Sequence, residues 1–182
     1  MNYTTMSSIL NRHLIQKIFR MNEPKYWQQS KEFLSKVDPS LEGLLLKHDD
    51  YIISSRGEAL ETLLRAIVGQ QISVQAAASV WGKLANKIGQ IKPENLLSLS
   101  FDDLKACGLS KQKTQYLINI CNHFISFSIK DHSHWEDRSF ESVYQELITI
   151  KGVGPWTAEM FGMFYLLEKD IFPIKDIGII RA

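Results

Sequence analysis

Cysteine is scarce in this sequence of 182 residues: Cys107 and Cys121 are its only thiols, each in an apolar or mixed helical run. That excludes a disulfide-stapled scaffold and a four-thiolate iron-sulfur cluster held within the chain, and leaves two buried thiols as the expectation. Long apolar runs are missing too, none approaching the roughly 20 residues that cross a bilayer. The amino-terminal MNYTTMSSILNRHLIQK lacks the ordered charge, apolar stretch and small-residue cleavage site of a secretory signal. An intracellular, cytoplasmic protein is expected. Charge of one sign is also lacking: 21 Lys and Arg stand against 20 Asp and Glu, a formal charge of +1. That balance neither demands nor excludes a polyanionic partner, because a binding footprint is local. Period-two alternation is almost absent, which argues against a sheet.

What is present is helical spacing. Ile9, Leu10, Leu14, Ile18 and Phe19 recur at steps of three and four, and Lys25 to Val37 comes next, broken at Asp38-Pro39, where aspartate caps and proline opens a short helix through Leu46. His48 to Ser55 reads as a loop with a short extended piece at Tyr51 to Ile53. Leu60, Leu63, Leu64, Ile67 and Val68 then share one face of a helix from about Gly57 to Gln70, and Val74, Ala77, Ala78, Trp81 and Leu84 share a face of the next. GQQIS joins the two, with Gly69 as a stop and Ser73 as a cap. Ser100 to Asp103 reads as a capping box. Ser110 caps a long helix from Lys111 to about Phe127, and a polar loop comes after it, where His132 and His134 read as surface histidines rather than metal ligands. Helices from Ser139 to Ile150 and from Trp156 to Leu167 complete the pattern. The fold class expected is all-α, with two lobes and a cleft between them.

The stretch IKGVGPWTA, Ile150 to Ala158, joins the last two helices. Gly152 and Gly154 permit positive φ or close approach by another backbone, and Pro155 fits just inside the second helix, where its missing N–H loses no partner. The product is a tight hairpin opening on unpaired N–H groups at the positive end of a helix dipole, which suits a phosphate. A plain helix-helix turn is the alternative that these glycines alone leave open.

The longer string LITIKGVGPWTAEMF, with DIFPIKDIGIIRA after it, resembles the helix-hairpin-helix and Gly-Pro-Asp signature of base-excision DNA glycosylases, and most of all the 3-methyladenine DNA glycosylase II branch. LLRAIVGQQISVQAAASVWGKL and, more loosely, FDDLKACGLSKQKTQYLINIC extend the resemblance, which runs from roughly Leu41 to the end. It implies a two-lobed helical enzyme, nucleoid-associated, whose hairpin clamps the phosphates of one strand, often with a monovalent cation on the backbone of residues 149–154, and whose downstream aspartate completes the site. Asp176 lies 22 positions after Gly154 (176 − 154), a spacing that matches the family and gives it the catalytic role; capping a helix at Ile177 is its plainer role, and both can hold together.

The resemblance implies hydrolysis of an N-glycosidic bond, with Asp176 stabilising the oxocarbenium-like state. Bifunctional relatives carry a nucleophilic lysine two positions after the second hairpin glycine, where this sequence has Trp156, so a monofunctional enzyme is expected. Trp156 then becomes a wall for an alkylated, cationic purine, with Met160 and Tyr165 as weaker pocket candidates. Gln71 matches the wedge pushed into the gap left by a flipped nucleotide, although Gln70 and Gln71 could equally satisfy backbone groups at a helix junction. Candidate DNA contacts are Gln70, Ser73, Ser110, Lys111, Lys113, Lys151, Gly152, Gly154 and Thr157. No cofactor is required. The partner is double-stranded DNA carrying damaged bases, and a monomer is expected.

The whole of residues 1–182 reads as one glycosylase unit, with one lobe from about residues 1–55 plus 156–182 and the other from 56–155, including the hairpin at 150–155. The chain stops six residues after Asp176 (182 − 176), where relatives continue for a few tens of residues, so a shortened carboxyl terminus is expected. Two rivals stand beside the main reading: a glycosylase of the same fold for another lesion, and a non-catalytic module that uses the hairpin as a phosphate clamp.

Overall fold

The computed structural model describes residues 24, 26–55 and 57–181. The helix expected over Ile9 to Phe19 lies outside the described residues. Every regular element among the described residues is helical, and the protein is all-α. The chain divides into two compact units, Met1–Ser55 and Arg56–Ala182. No described helix is long and apolar enough to cross a membrane.

The first unit is a helical pair, α1 (Trp27–Val37) and α2 (Pro39–Lys47), neither of which holds a buried residue. Asp38 ends one and starts the other: its carboxylate accepts from the Ser40 amide at 2.8 Å, and Pro39 needs no partner at the first helical position. Lys31 closes the pair onto the next turn through Asp49 at 2.9 Å. Residues 51–55 are irregular, so the extended piece expected at Tyr51 to Ile53 pairs with no described strand.

The second unit is built on α3 (Ala59–Gly69). Its stripe of Leu60, Leu63, Leu64, Ile67 and Val68 is buried, each large side chain stabilising the fold by about 2 kcal/mol. Around it run α4 (Val74–Ile88), α5 (Pro93–Leu97), α6 (Phe101–Ala106), α7 (Lys111–Ser126), a 3-10 turn at His132–His134, α8 (Phe140–Ile148) and α9 (Pro155–Phe161). The helix α3 packs directly on α4, α7 and α9. Four serines start helices, because a serine oxygen can accept one of the first unpaired N–H groups. Ser73 does so for α4, Ser100 for α6, Ser110 for α7 and Ser139 for α8. Both cysteines are buried and unbridged.

The polar connecting loop before α8 is anchored by Trp135, which is buried, its ring 5.0 Å from Phe161 and 6.2 Å from Phe124. One expectation needs correction here. The helix expected from Trp156 to Leu167 is interrupted, since α9 ends at Phe161 and a π-helical turn covers Gly162–Leu166, closing with Leu167 at φ 58°. Gly162 stands where a Cβ would meet the side chains of Ile171 and Phe140. After this turn the chain is irregular until α10 (Ile177–Ile180).

Candidate active site

The hairpin between α8 and α9 is anchored in the core. Ile150 and Val153 are buried, and the Val153 amide donates to the Ile150 carbonyl at 2.9 Å. Gly152 has φ 112°, and any Cβ there would overlap the Tyr116 ring of α7, so only glycine serves this turn on both counts. From the same helix Asn119 donates to the Lys151 carbonyl at 2.8 Å, and Gln112 hydrogen-bonds the Tyr116 hydroxyl. Gly154 precedes Pro155 in an extended conformation, with no side-chain cap on α9 and no described atom within 4 Å of where its Cβ would be. The outcome is a helix start whose N–H groups are covered by no side chain, on a rigid support.

Asp176 sits at the other end of this region and does two jobs. One oxygen accepts from the Gly178 amide at 2.7 Å and caps α10; the other accepts from the Trp156 indole N–H at 2.7 Å. The hydrogen bond from Trp156 holds the carboxyl below its usual range, against partial desolvation that pushes it up, with the Gly178 and Ile179 amides adding to the lowering. Asp176 is therefore an anion at neutral pH, aimed by an aromatic donor.

Trp156 and Asp176 open on a cleft of about 740 Å³, within the range of small-molecule sites. Residues of α3 and α4 line it, and so does the segment from Trp156 to Ile179. Met160 lines it as well. Tyr165 does not: its ring lies 4.8 Å from Phe161 and its hydroxyl is 3.1 Å from His132 Nδ1, and burial pushes the phenol up to about 12. Helical spacing accounts for this: Tyr165 follows Met160 by five positions, about 140° around a helix, but follows Phe161 by four and so shares that residue's buried face.

Gln71 is exposed in the turn between α3 and α4, at φ 57°. Lys111 and Lys151 are exposed, each beside one of the two loop-to-helix junctions. Three other candidates for DNA contact turn inward. The Gln70 amide donates to the buried Thr157 hydroxyl at 3.0 Å, and the Lys113 ammonium donates to the carbonyls of Val68 and Gln70 at 2.8 and 2.7 Å. Ser73 and Ser110 have their oxygens engaged as helix caps.

Sequence reasoning missed the Arg65–Trp81 pair. The guanidinium lies 4.4 Å from the centre of the indole, its Nε donates to Glu61 at 2.8 Å, and both Arg65 and Trp81 line the cleft. The spacing of 16 (81 − 65) across two helices gives no local signal. The two histidines expected on the surface are also engaged: His132, exposed, meets the Tyr165 hydroxyl at 3.1 Å, and His134, half-buried, reaches Glu146 at 3.0 Å, where His123 at 2.9 Å and Arg138 at 2.6 Å join it. Among the described residues no group of side chains has the makings of a metal site.

Residues 64–182 match the HhH-GPD superfamily of base excision DNA repair proteins, and the chain belongs to that family. It is 34% identical over 125 residues to DNA-3-methyladenine glycosylase 1 of Schizosaccharomyces pombe, covering 67% of this chain and 55% of that one. It is 30% identical over 194 residues to the DNA-3-methyladenine glycosylase of Saccharomyces cerevisiae, covering 93% and 62%. Among solved structures it resembles a Schizosaccharomyces pombe 3-methyladenine DNA glycosylase in complex with abasic DNA, with a TM-score of 0.75 at 30% identity over 82% of this chain and 75% of that one. The chain thus spans between about half and two thirds of the two curated relatives.

Proposed function

We propose that this chain is a monofunctional DNA glycosylase that releases alkylated purines such as 3-methyladenine and 7-methylguanine from duplex DNA, acting as a monomer in the cytoplasm on nucleoid DNA. The observation that carries the reading is the Trp156–Asp176 hydrogen bond at 2.7 Å, which sets an aimed carboxylate on a cleft beside a side-chain-free helix start. The hairpin grips a phosphate of the damaged strand, with Lys151 and Lys111 adding cationic contacts. Gln71 enters the stack as the nucleotide leaves it, and the purine enters the cleft against Trp156 and Met160.

Cleavage breaks the bond between the anomeric carbon and the base nitrogen. The electron pair leaves with the purine, whose alkylation already makes it a cationic leaving group, so no strong general acid is required. Positive charge then builds on the sugar, where the Asp176 carboxylate stabilises it; water adds to the anomeric carbon and loses its proton. Trp156 occupies the position at which a lysine would form a Schiff base, so the reaction stops at base release. A monovalent cation on the hairpin backbone fits the residues present: the Ile150 and Lys151 carbonyls each accept one hydrogen bond and keep a second lone pair. It would add positive charge beside the phosphate.

The test is release of 3-methyladenine and 7-methylguanine from methylated duplex DNA by the protein and its Asp176→Asn variant, which keeps an oxygen to cap α10. Release that is lost in the variant while DNA binding persists supports the proposal. Tight binding with no release by the unaltered protein points to a DNA-binding module, and a panel of deaminated and oxidised bases then distinguishes another lesion.

A further inference from the structure

The turn between α3 and α4 holds a contradiction. Gln70 at φ −53°, ψ 127°, with Gln71 next at φ 57°, has the backbone of a type II turn, in which the second of these positions ordinarily takes glycine. A glycine at 71 would relieve the backbone and lose the side chain. A left-handed glutamine persists only where its surroundings over-determine it, so something must hold this turn.

Two contacts do. Lys113, in the first turn of α7, reaches 45 and 43 positions back along the sequence and donates to the carbonyls of Val68 and Gln70, one on each side of Gly69. These are carbonyls at the carboxyl end of α3, where the helix leaves acceptors unpaired and a cation is favoured by the dipole. The second contact is the Gln70 amide on the Thr157 hydroxyl, which is 1% exposed. Thr157 is the neighbour of Trp156, so the turn is tied to the helix that aims Asp176.

We propose that Lys113 is a positioning residue for strand opening: its ammonium clamps the turn that presents Gln71 to duplex DNA, and the Gln70–Thr157 bond fixes that turn to the pocket helix. This rests on the glycosylase reading for its consequence but not for its geometry. Lys113 therefore acts through Gln71 and not through a phosphate. A phosphate contact would weaken binding to paired and unpaired DNA alike, whereas a brace for the wedge matters where a stacked duplex must be opened.

Two measurements on Lys113→Met, Lys113→Arg and Thr157→Val test it. In the DNA-free protein, amide exchange over residues 69–72 should rise about tenfold or more in Lys113→Met, less in Thr157→Val, and return most of the way in Lys113→Arg, with α8 and α9 unchanged. The ratio of 7-methylguanine release from duplex to release from single-stranded DNA should fall about tenfold in Lys113→Met and recover in Lys113→Arg. Unchanged exchange in the turn overturns the proposal, as does a parallel fall of the two release rates, which would mark a phosphate contact or general loss of structure. If the unaltered protein releases no alkylated base from either DNA, the glycosylase reading fails, and the exchange data still decide whether Lys113 is the brace. Introducing Gln71→Gly sharpens the result: with the turn relaxed, Lys113→Met should add little further loss of duplex release.

Discussion

The two ends of the candidate site are held in opposite ways. At the hairpin, Ile150 and Val153 are driven into the core and α7 supports the turn through Tyr116 and Asn119. At the acid, the surrounding segment shows its apolar side chains to solvent: Phe172 is 73% exposed, Ile174 66% and Ile177 57%. The hairpin owes its geometry to burial, which is cooperative and insensitive to pH. Asp176 owes its aim to one indole hydrogen bond and a short turn, which are local and can be altered singly. Grip and chemistry are thus separable by mutation, although Trp156 is a near neighbour of both.

The strongest way to expose that separation is Asp176→Asn. Base release should fall about 100-fold or more, by analogy with the loss of one electrostatic group at a developing charge, while affinity for damaged duplex stays within about threefold. Equal losses in both would break the comparison. The reverse dissection is Gly152→Ala, which forces a Cβ into the Tyr116 ring at φ 112°. A cost of about 2 to 3 kcal/mol is expected, seen as a lowered Tm together with a tenfold or greater loss of DNA affinity.

Trp156→Phe tests the link itself. It keeps an aromatic wall and removes the donor, so the Asp176 pKa should rise towards the ordinary carboxylate value. The ionised form is the active one, so activity is present above that pKa and lost as pH falls through it; the acid limb of the release profile should move to higher pH, while at neutrality, where the carboxylate stays ionised, its lost aim should cost about tenfold. A profile that does not move would mean that Trp156 acts only by stacking. The smallest effect is expected at Glu146. Burial pushes its carboxyl up, but hydrogen bonds from His123, Arg138 and His134 together outweigh this and hold it below the usual range. Glu146→Gln should cost about 1 kcal/mol of stability at neutral pH, a gap that closes as pH falls through the depressed pKa, with base release unaffected.

Much of this architecture was legible because it is local. Asp38, Ser73, Ser100, Ser110 and Asp176 stand ahead of helices whose first N–H groups they satisfy, and the α3 stripe comes from spacing alone. The hairpin was legible for the same reason: glycines and a proline have few other uses between two helices. The features that escaped such reading depend on partners distant in sequence. Lys113 at the start of a helix has the pattern of a solvated charge, and nothing nearby announces carbonyls more than 40 positions away. Trp135 lies among polar residues, yet its neighbours are Phe124 and Phe161. Tyr165 is an aromatic beside the candidate pocket, yet its ring packs on Phe161 and its hydroxyl meets His132, 33 positions earlier.

The buried cysteines carry a last consequence. Reagents that methylate purines also attack sulfur, and they do so through the thiolate. Cys121 is fully enclosed, and burial, with a lesser push from Glu94, raises its thiol to about 12; Cys107 is 4% exposed. A folded molecule thus offers electrophiles no ready sulfur nucleophile at either position. The same closed core that supports the hairpin withholds both thiols from the class of electrophile whose products the protein is proposed to clear.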